Sequence, residues 1–491
     1  MRRLGPPSPL VLYETTGLAL GLGTGWLLAR PALPTALALF GFLALTVGTL
    51  MEPLVGAVGG LFLGLLRAYL RTEAPQVPDQ IGHLFLALAF FSHWTRRLAR
   101  RDLRLPLGAR HPAAPLALPA LVFLGAAGLS LWSPAYDARY LGPYGLLELV
   151  KWAEILLLLW MVAERTDRRH LPWLAVGILA VGVFQALLGL YQFGIRGEGP
   201  EHFRIPGTRF FRAYGTFEQP NPYAGYIGMT LALGTGILGT CGLPWISERR
   251  WKSVLGIGAA VGLMAVALGA SWSRGGWMGF AAALGAMALA LPRRSRWGVL
   301  LVAGLVVLFL GLLGTGLLPA RVVARLTDFV ADLRLQDVRG ININSANYAV
   351  IERLAHWQSA VEMWRFRFWT GVGFGGYEPA YPAFALVNWP IALGHAHNLY
   401  LNLLAETGVI GLLAYLALWG AVFYRTWRAT RIASGLERGI AVGLLGVWTH
   451  LTVHHLVDNL YVNNAHLFIG LSLGMLAAIP LPVNDLRKRR F

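Results

Sequence analysis

A histidine and an asparagine, His397 and Asn398, open a long apolar run that contains Gly408 and Gly411. Read as one helix from Asn398 to Tyr424, the run is long enough to cross a bilayer and places His397 in its first turn, at a water boundary. The two glycines then share a face on which a second helix can pack closely. Three arginines stand apart from the basic clusters of the chain: Arg212 in FFRAYGTFEQPNPYAGY, Arg274 in WSRGGW and Arg353 in ERLAHW. A guanidinium is permanently charged and grips phosphate oxygens through two parallel hydrogen bonds, which suits a pyrophosphate held at a bilayer edge. Arg274 is the best placed of the three, because Gly275 and Gly276 let the backbone approach a ligand and a helix N-terminus begins there.

Other polar residues fall into patterns of their own. His450, His454 and Asp458 recur at i, i+4 and i+8 of an apolar helix. That spacing can bind zinc, but lining a cavity and orienting His397 or an acceptor is the favoured reading, and no metal is expected. His395, two residues before His397, is a candidate to share its role. Asn221, in a Pro-Asn-Pro helix entry, either caps that helix or touches a sugar, and capping is favoured. Glu148, Lys151 and Glu154 lie inside an apolar span, where charges are costly; at i, i+3 spacing they are expected to neutralise one another.

The elements that position these residues follow from composition. The 491 residues are 56% hydrophobic and 13% charged, too apolar for a soluble chain of this length. Apolar runs predict spans at about 10–29, 33–51, 53–70, 82–95, 115–133, 145–163, 171–193, 221–242, 253–272, 276–291, 297–318, 398–424, 438–456 and 464–480. The fold class is therefore all-α, a polytopic membrane protein of about 12 to 14 transmembrane helices. The N-terminus lacks a short apolar stretch ending in a cleavage site and reads as a retained first helix. The single cysteine, Cys241, permits no intrachain disulfide.

Most of the net charge of +18 resides in RRLARRDLR, ERTDRRH, SERRWK, PRRSR, YRTWRATR and DLRKRR. Alternating the spans from a cytoplasmic N-terminus puts every one of these clusters, and the C-terminus, inside, as the positive-inside rule requires. No basic face interleaved with aromatics appears, so no nucleic-acid partner is expected. Two long segments then fall outside, 194–220 and 319–397. The second is too long for a simple connection and is expected to be functional; RLAHWQSAVEMWRFRF within it has helical apolar spacing suited to lying along the membrane surface. The chain divides accordingly into helices 1–318, an outer loop 319–397 and C-terminal helices 398–491. No Walker loop, dinucleotide fingerprint, zinc-protease motif or Gly-x-Ser-x-Gly elbow occurs, so no nucleotide cofactor is expected.

The His-Asn-x9-Gly-x-x-Gly pattern, GTFEQPNPYAGY at 215–226, SRGGW at 273–277 and RLAHWQSAVEMWRFRFWTGVGFGGY at 353–377 together resemble the O-antigen ligase and polymerase family of bacterial membrane glycosyltransferases. The resemblance spans roughly residues 205 to 465. It implies a GT-C-like fold in the inner membrane, with the active site on the outer side. It also implies a glycan donor on undecaprenyl pyrophosphate, transferred to an acceptor hydroxyl such as lipid A-core without cofactor. His397 becomes the base, and Arg274 and Arg353 the pyrophosphate ligands. Arg212 is added from its own chemistry, with Asn398, Asn221, His454 and Asp458 as supporting groups of the acceptor cavity. Inversion at the anomeric carbon is expected, since no covalent intermediate is needed. A polymerase, or a protein oligosaccharyltransferase, differs only in acceptor. A flippase or exporter of the same lipid-linked glycan is the non-enzymatic alternative; transporters often show inverted repeats and broken helices, and none is evident.

Overall fold

A computed structural model describes residues 33–102, 108, 111–132, 143–327, 337–344 and 347–481. The expected first span and the C-terminal basic cluster DLRKRR lie outside these residues. Among the described residues the chain is helical, and its one isolated β-bridge pairs Arg204 with Phe211.

Each remaining expected span meets a helix. In chain order these are α1 (Leu33–Met51), α2 (Pro53–Leu65), α3 (Arg67–Glu73), α4 (Ile81–Ala99), α5 (Ala114–Leu131), α6 (Pro143–Arg165), α7 (His170–Gly194), α8 (Pro220–Ser247), α9 (Trp251–Ala270), α10 (Arg274–Ala290) and α11 (Ser295–Gly314). Two helices of the long loop follow, α12 (Ala320–Thr327) and α13 (Tyr348–Phe366), then the single turn α14 (Tyr377–Ala380). The chain ends in α15 (Leu399–Ile432), α16 (Gly435–His454) and α17 (His466–Ala478). Six of them, α5, α7, α8, α9, α11 and α15, are long and apolar enough to cross a bilayer, and α2 with α3 makes a seventh if that pair, bent by 50°, is one span. This is a polytopic all-α membrane protein.

Helix α8 is the core of the bundle, packed against α7, α9, α10 and α16. Its neighbours α10 and α16 also pack on one another, so the three bring their ends together. At one end, arginines cap the exposed carbonyls of helix C-termini. Arg431 donates to Pro292 and Leu289, Arg438 to Ala290 and Leu291, and Arg425 to Ala477. A guanidinium there satisfies carbonyls that lack helical partners and complements the negative helix end. The basic clusters thus have a structural use beyond topology.

Within the membrane helices one expectation holds only in part and another fails. Glu154 does not pair with Lys151: its carboxylate meets His83 Nδ1 and His466 Nε2, each at 2.8 Å, while Lys151 pairs with Glu148 and donates to Tyr461 O. Helical spacing cannot reveal partners on other helices. The glycines of α15 also act differently from expectation. Gly408 has φ +62° and ψ −165°, which breaks the helix, and a Cβ there would stand 2.3 Å from the carbonyl of Trp369. The released backbone pairs with the segment after α13: Val409 N–H donates to Phe368 O, and Glu406 O accepts from Gly373. The glycine admits a loop rather than another helix. Helix α13 itself forms as its spacing predicts; it buries Ile351, Leu354, Ala355 and Met363 and packs on α15.

Candidate active site

The helix ends opposite the arginine caps surround a cavity of about 570 Å³. The N-termini of α8, α10 and α15 contribute Asn221, Ser273, Arg274 and Asn398, and the end of α16 with its following loop contributes His454 and Asp458. The long loop closes the remaining wall with Arg325 of α12 and Arg353 and Trp357 of α13, and Arg212 enters from the segment before α8. Seven of the eight residues singled out from the sequence therefore meet at one cavity, although they span positions 212 to 458.

The local chain explains their placement. Ser273 is the N-cap of α10, its Oγ accepting from Gly276 N–H; this starts the helix at Arg274, as the Gly-Gly pair suggests. Those glycines serve protein neighbours. A Cβ on Gly275 would lie 2.6 Å from the His454 ring, so its absence is what seats that histidine at the cavity. Asn221 is not a cap. Gln219 holds the N-cap position of α8, and Asn221 Oδ1 instead accepts from the Arg212 guanidinium at 2.9 Å and from Ser273 Oγ at 3.0 Å. Arg212 is anchored a second time by donating to Ser271 O at 2.9 Å. Arg353 donates to Ala349 O and Val457 O.

His397 stands just outside α15 rather than in its first turn. Asn398 is the N-cap, its Oδ1 accepting from Tyr400 and Leu401 N–H, and His397 precedes it with φ +53°. A left-handed non-glycine residue is costly and is held by its surroundings. Its N–H donates to His395 Nδ1 at 3.1 Å, and its carbonyl accepts from Trp357 Nε1 at 3.4 Å. The ring is not itself on the cavity wall; it lies behind it, between His395, His356 and Asp458. Neither ring nitrogen has a hydrogen-bond partner among the described residues, and Nδ1 lies 3.8 Å from Asp458 Oδ1.

The i+8 reading of Asp458 fails because α16 ends at His454 and Asp458 sits in the loop beyond. That turn brings it 3.6 Å from His395 Nε2 as well. Burial alone would raise the Asp458 carboxyl, but the facing His397 and His395 imidazoles outweigh it and hold it well below the usual range. The same burial lowers His395 to about 4, with His397 acting in the same direction and Asp458 against it. Burial also brings Arg212 down to about 9, helped by Arg325, Arg353 and Arg274 and opposed by Asp458; it stays cationic at neutral pH.

His395, His397 and Asp458 are also the group of described residues whose donor atoms, within 4.8 Å of one another, could hold a metal ion. The hydrogen bonding argues otherwise. His395 Nδ1 accepts the His397 N–H, so its proton sits on Nε2, the atom that faces Asp458. In that tautomer the Nε2 proton points at the carboxylate, and an ion would have to displace it.

Residues 259–416 match the family model described as O-antigen ligase. This segment is an O-antigen ligase family domain. A comparison with curated proteins finds no match to the chain. The ligase-family domain runs from α9 into α15 and carries Arg274, Arg325, Arg353, His397 and Asn398, whereas Arg212, Asn221, His454 and Asp458 come from outside it. The family is one of O-antigen ligase- and polymerase-type membrane glycosyltransferases.

Sequence reasoning missed Arg325. It was visible as another arginine of the outer loop, but that loop also holds Arg321, Arg334 and Arg339, and nothing in their spacing marks Arg325 out.

Proposed function

We propose that this protein transfers a glycan from undecaprenyl pyrophosphate to an acceptor hydroxyl, with inversion and without metal or nucleotide, at the outer face of a bacterial inner membrane. The observation that carries the reading is the cavity itself. Four guanidiniums line it, and directly behind its wall stands an imidazole with two unpartnered nitrogens beside a buried carboxylate. Leaving pyrophosphate gains negative charge as the glycosidic C–O bond breaks, and preorganised arginines stabilise that charge most where water is excluded. The acceptor hydroxyl attacks the anomeric carbon while His397 takes its proton. With Nδ1 turned to Asp458, Nε2 is the basic nitrogen, and the carboxylate stabilises the imidazolium formed.

The arginine caps at the opposite helix ends support an outward-facing cavity through the positive-inside rule. Residues 319–397 act as the catalytic loop, since they supply Arg325, Arg353 and His397. Ligation is the form that the family's description names, with lipid A-core as its acceptor in this proposal; polymerisation uses the same donor chemistry with a different acceptor. Transfer of a radiolabelled undecaprenyl-pyrophosphate oligosaccharide by the purified protein, in the presence of chelator, tests the reading. His397→Ala is expected to abolish transfer while keeping donor binding, and turnover equal to wild type overturns the role of His397.

A further inference from the structure

The arginines of the cavity are not scattered over its walls. Three of them gather on the turn between α9 and α10. Arg212 Nε donates to Ser271 O, the Arg325 guanidinium donates to Trp272 O at 3.3 Å, and Arg274 opens the helix two residues later. Trp272 holds the turn with φ +52°, and Ser273 caps α10 while also donating to the Asn221 Oδ1 that orients Arg212. Arg353 is tied elsewhere, to Val457 O beside Asp458. Arg325 differs from the other two in its origin. It belongs to α12, an eight-residue helix none of whose residues is buried, so its side chain reaches the turn from a segment with no core of its own.

Resting on the donor assignment above, we propose that Arg325 is a fourth phosphate-binding residue that sets selectivity for a pyrophosphate over a monophosphate carrier. One phosphate offers three oxygens and is well served by two or three guanidiniums, whereas a pyrophosphate presents a second anionic centre about 3 Å further on and needs donors from a further direction. Arg212 is held by Ser271 O and Asn221, Arg274 opens α10, and Arg353 stands by Asp458 on the acid–base side. Arg325 supplies the additional direction. The mutual repulsion of four cations, which already bears on Arg212, is relieved most by the more highly charged of the two ligands. Arg321, one helical turn earlier on α12 and exposed, does not line the cavity.

The test is binding of a short polyprenyl pyrophosphate and of the matching monophosphate to the full-length protein in detergent, by calorimetry, for wild type, Arg325→Gln, Arg325→Lys and Arg321→Gln. Wild type is expected to prefer the pyrophosphate. Arg325→Gln should weaken pyrophosphate binding by about 10- to 100-fold, the scale of one charge-assisted hydrogen-bonding pair, while monophosphate binding changes less than about threefold. Arg325→Lys should fall between, and Arg321→Gln should match wild type. An equal loss for both ligands, or no loss at all, overturns the role of Arg325. If wild type binds neither ligand, the donor assignment itself fails. A thermal melt on each variant separates lost binding from lost fold.

Discussion

Asp458 Oδ1 lies 3.8 Å from His397 Nδ1, although the two residues reach that distance from different helix ends. The separation exceeds a hydrogen bond but leaves the carboxylate to fix which nitrogen carries the proton and to stabilise an imidazolium once formed. Asp458→Asn keeps the volume and removes the charge. The expected outcome is a kcat lowered by about 10²- to 10⁴-fold, with the donor KM nearly unchanged. Steady-state kinetics check this, and an unaltered kcat would show that His397 acts without Asp458.

Asn221 orients rather than caps. Its Oδ1 holds both Arg212 and Ser273, so Asn221→Ala frees a guanidinium that donor binding would then have to order. Donor KM is expected to rise by about tenfold, near 1.4 kcal/mol, with helix content by circular dichroism unchanged. Lost helix content without a change in KM would restore the capping reading.

Stability should depend on pH through buried imidazoles, two of them on the long outer loop. Burial lowers both His395 and His356 to about 4, and His397 adds to the effect in each case. Between pH 6.5 and 4 the unfolded chain binds protons at these groups and the folded protein does not. The stability they confer is therefore complete above pH 6.5 and falls as pH drops toward 4, by at most about 1.4 kcal/mol per pH unit for each group. Asp458, also depressed, acts only below this window, where its unfolded carboxyl would protonate. Melting temperatures across pH 4 to 7 should fall on acidification, and His395→Asn should flatten that slope; a slope identical to wild type contradicts the assignment.

Gly408 is required by conformation and by space together. At φ +62°, with the Trp369 backbone 2.3 Å from a would-be Cβ, Gly408→Ala should destabilise by about 3 kcal/mol or more. A melt in detergent shows it, and a variant as stable as wild type would mean that the loop moves aside freely.

Transfer should be indifferent to chelators. The tautomer that the His397 N–H favours at His395 turns a protonated nitrogen to Asp458, which disfavours an ion between them. Inhibition by EDTA, relieved by zinc, would reverse that conclusion.

The sequence by itself determined the class of protein and most of the cast. A chain that is 56% hydrophobic, with arginine clusters between apolar runs, has few ways to satisfy its backbone except as membrane helices. Periodicity located those helices closely, because each backbone donor pairs within its own segment. Arg212, Arg274, Arg353 and His397 stood out because charge is rare in such a chain. What only the tertiary structure decided are the pairings between segments. Asn221 could be read as a cap because capping is local; its true partners, Arg212 and Ser273, come from other parts of the chain. Gly408 looked like a helix-packing residue until the loop after α13 filled its place, and Glu154 found histidines on two other helices instead of the lysine one turn away. Arg325 was hidden among arginines of equal promise, and Asp458 was assigned to a helix that stops one residue short of His455. Sequence spacing encodes neighbours along a helix, whereas the cavity is built where six separate segments end, and only folding sets which ends meet.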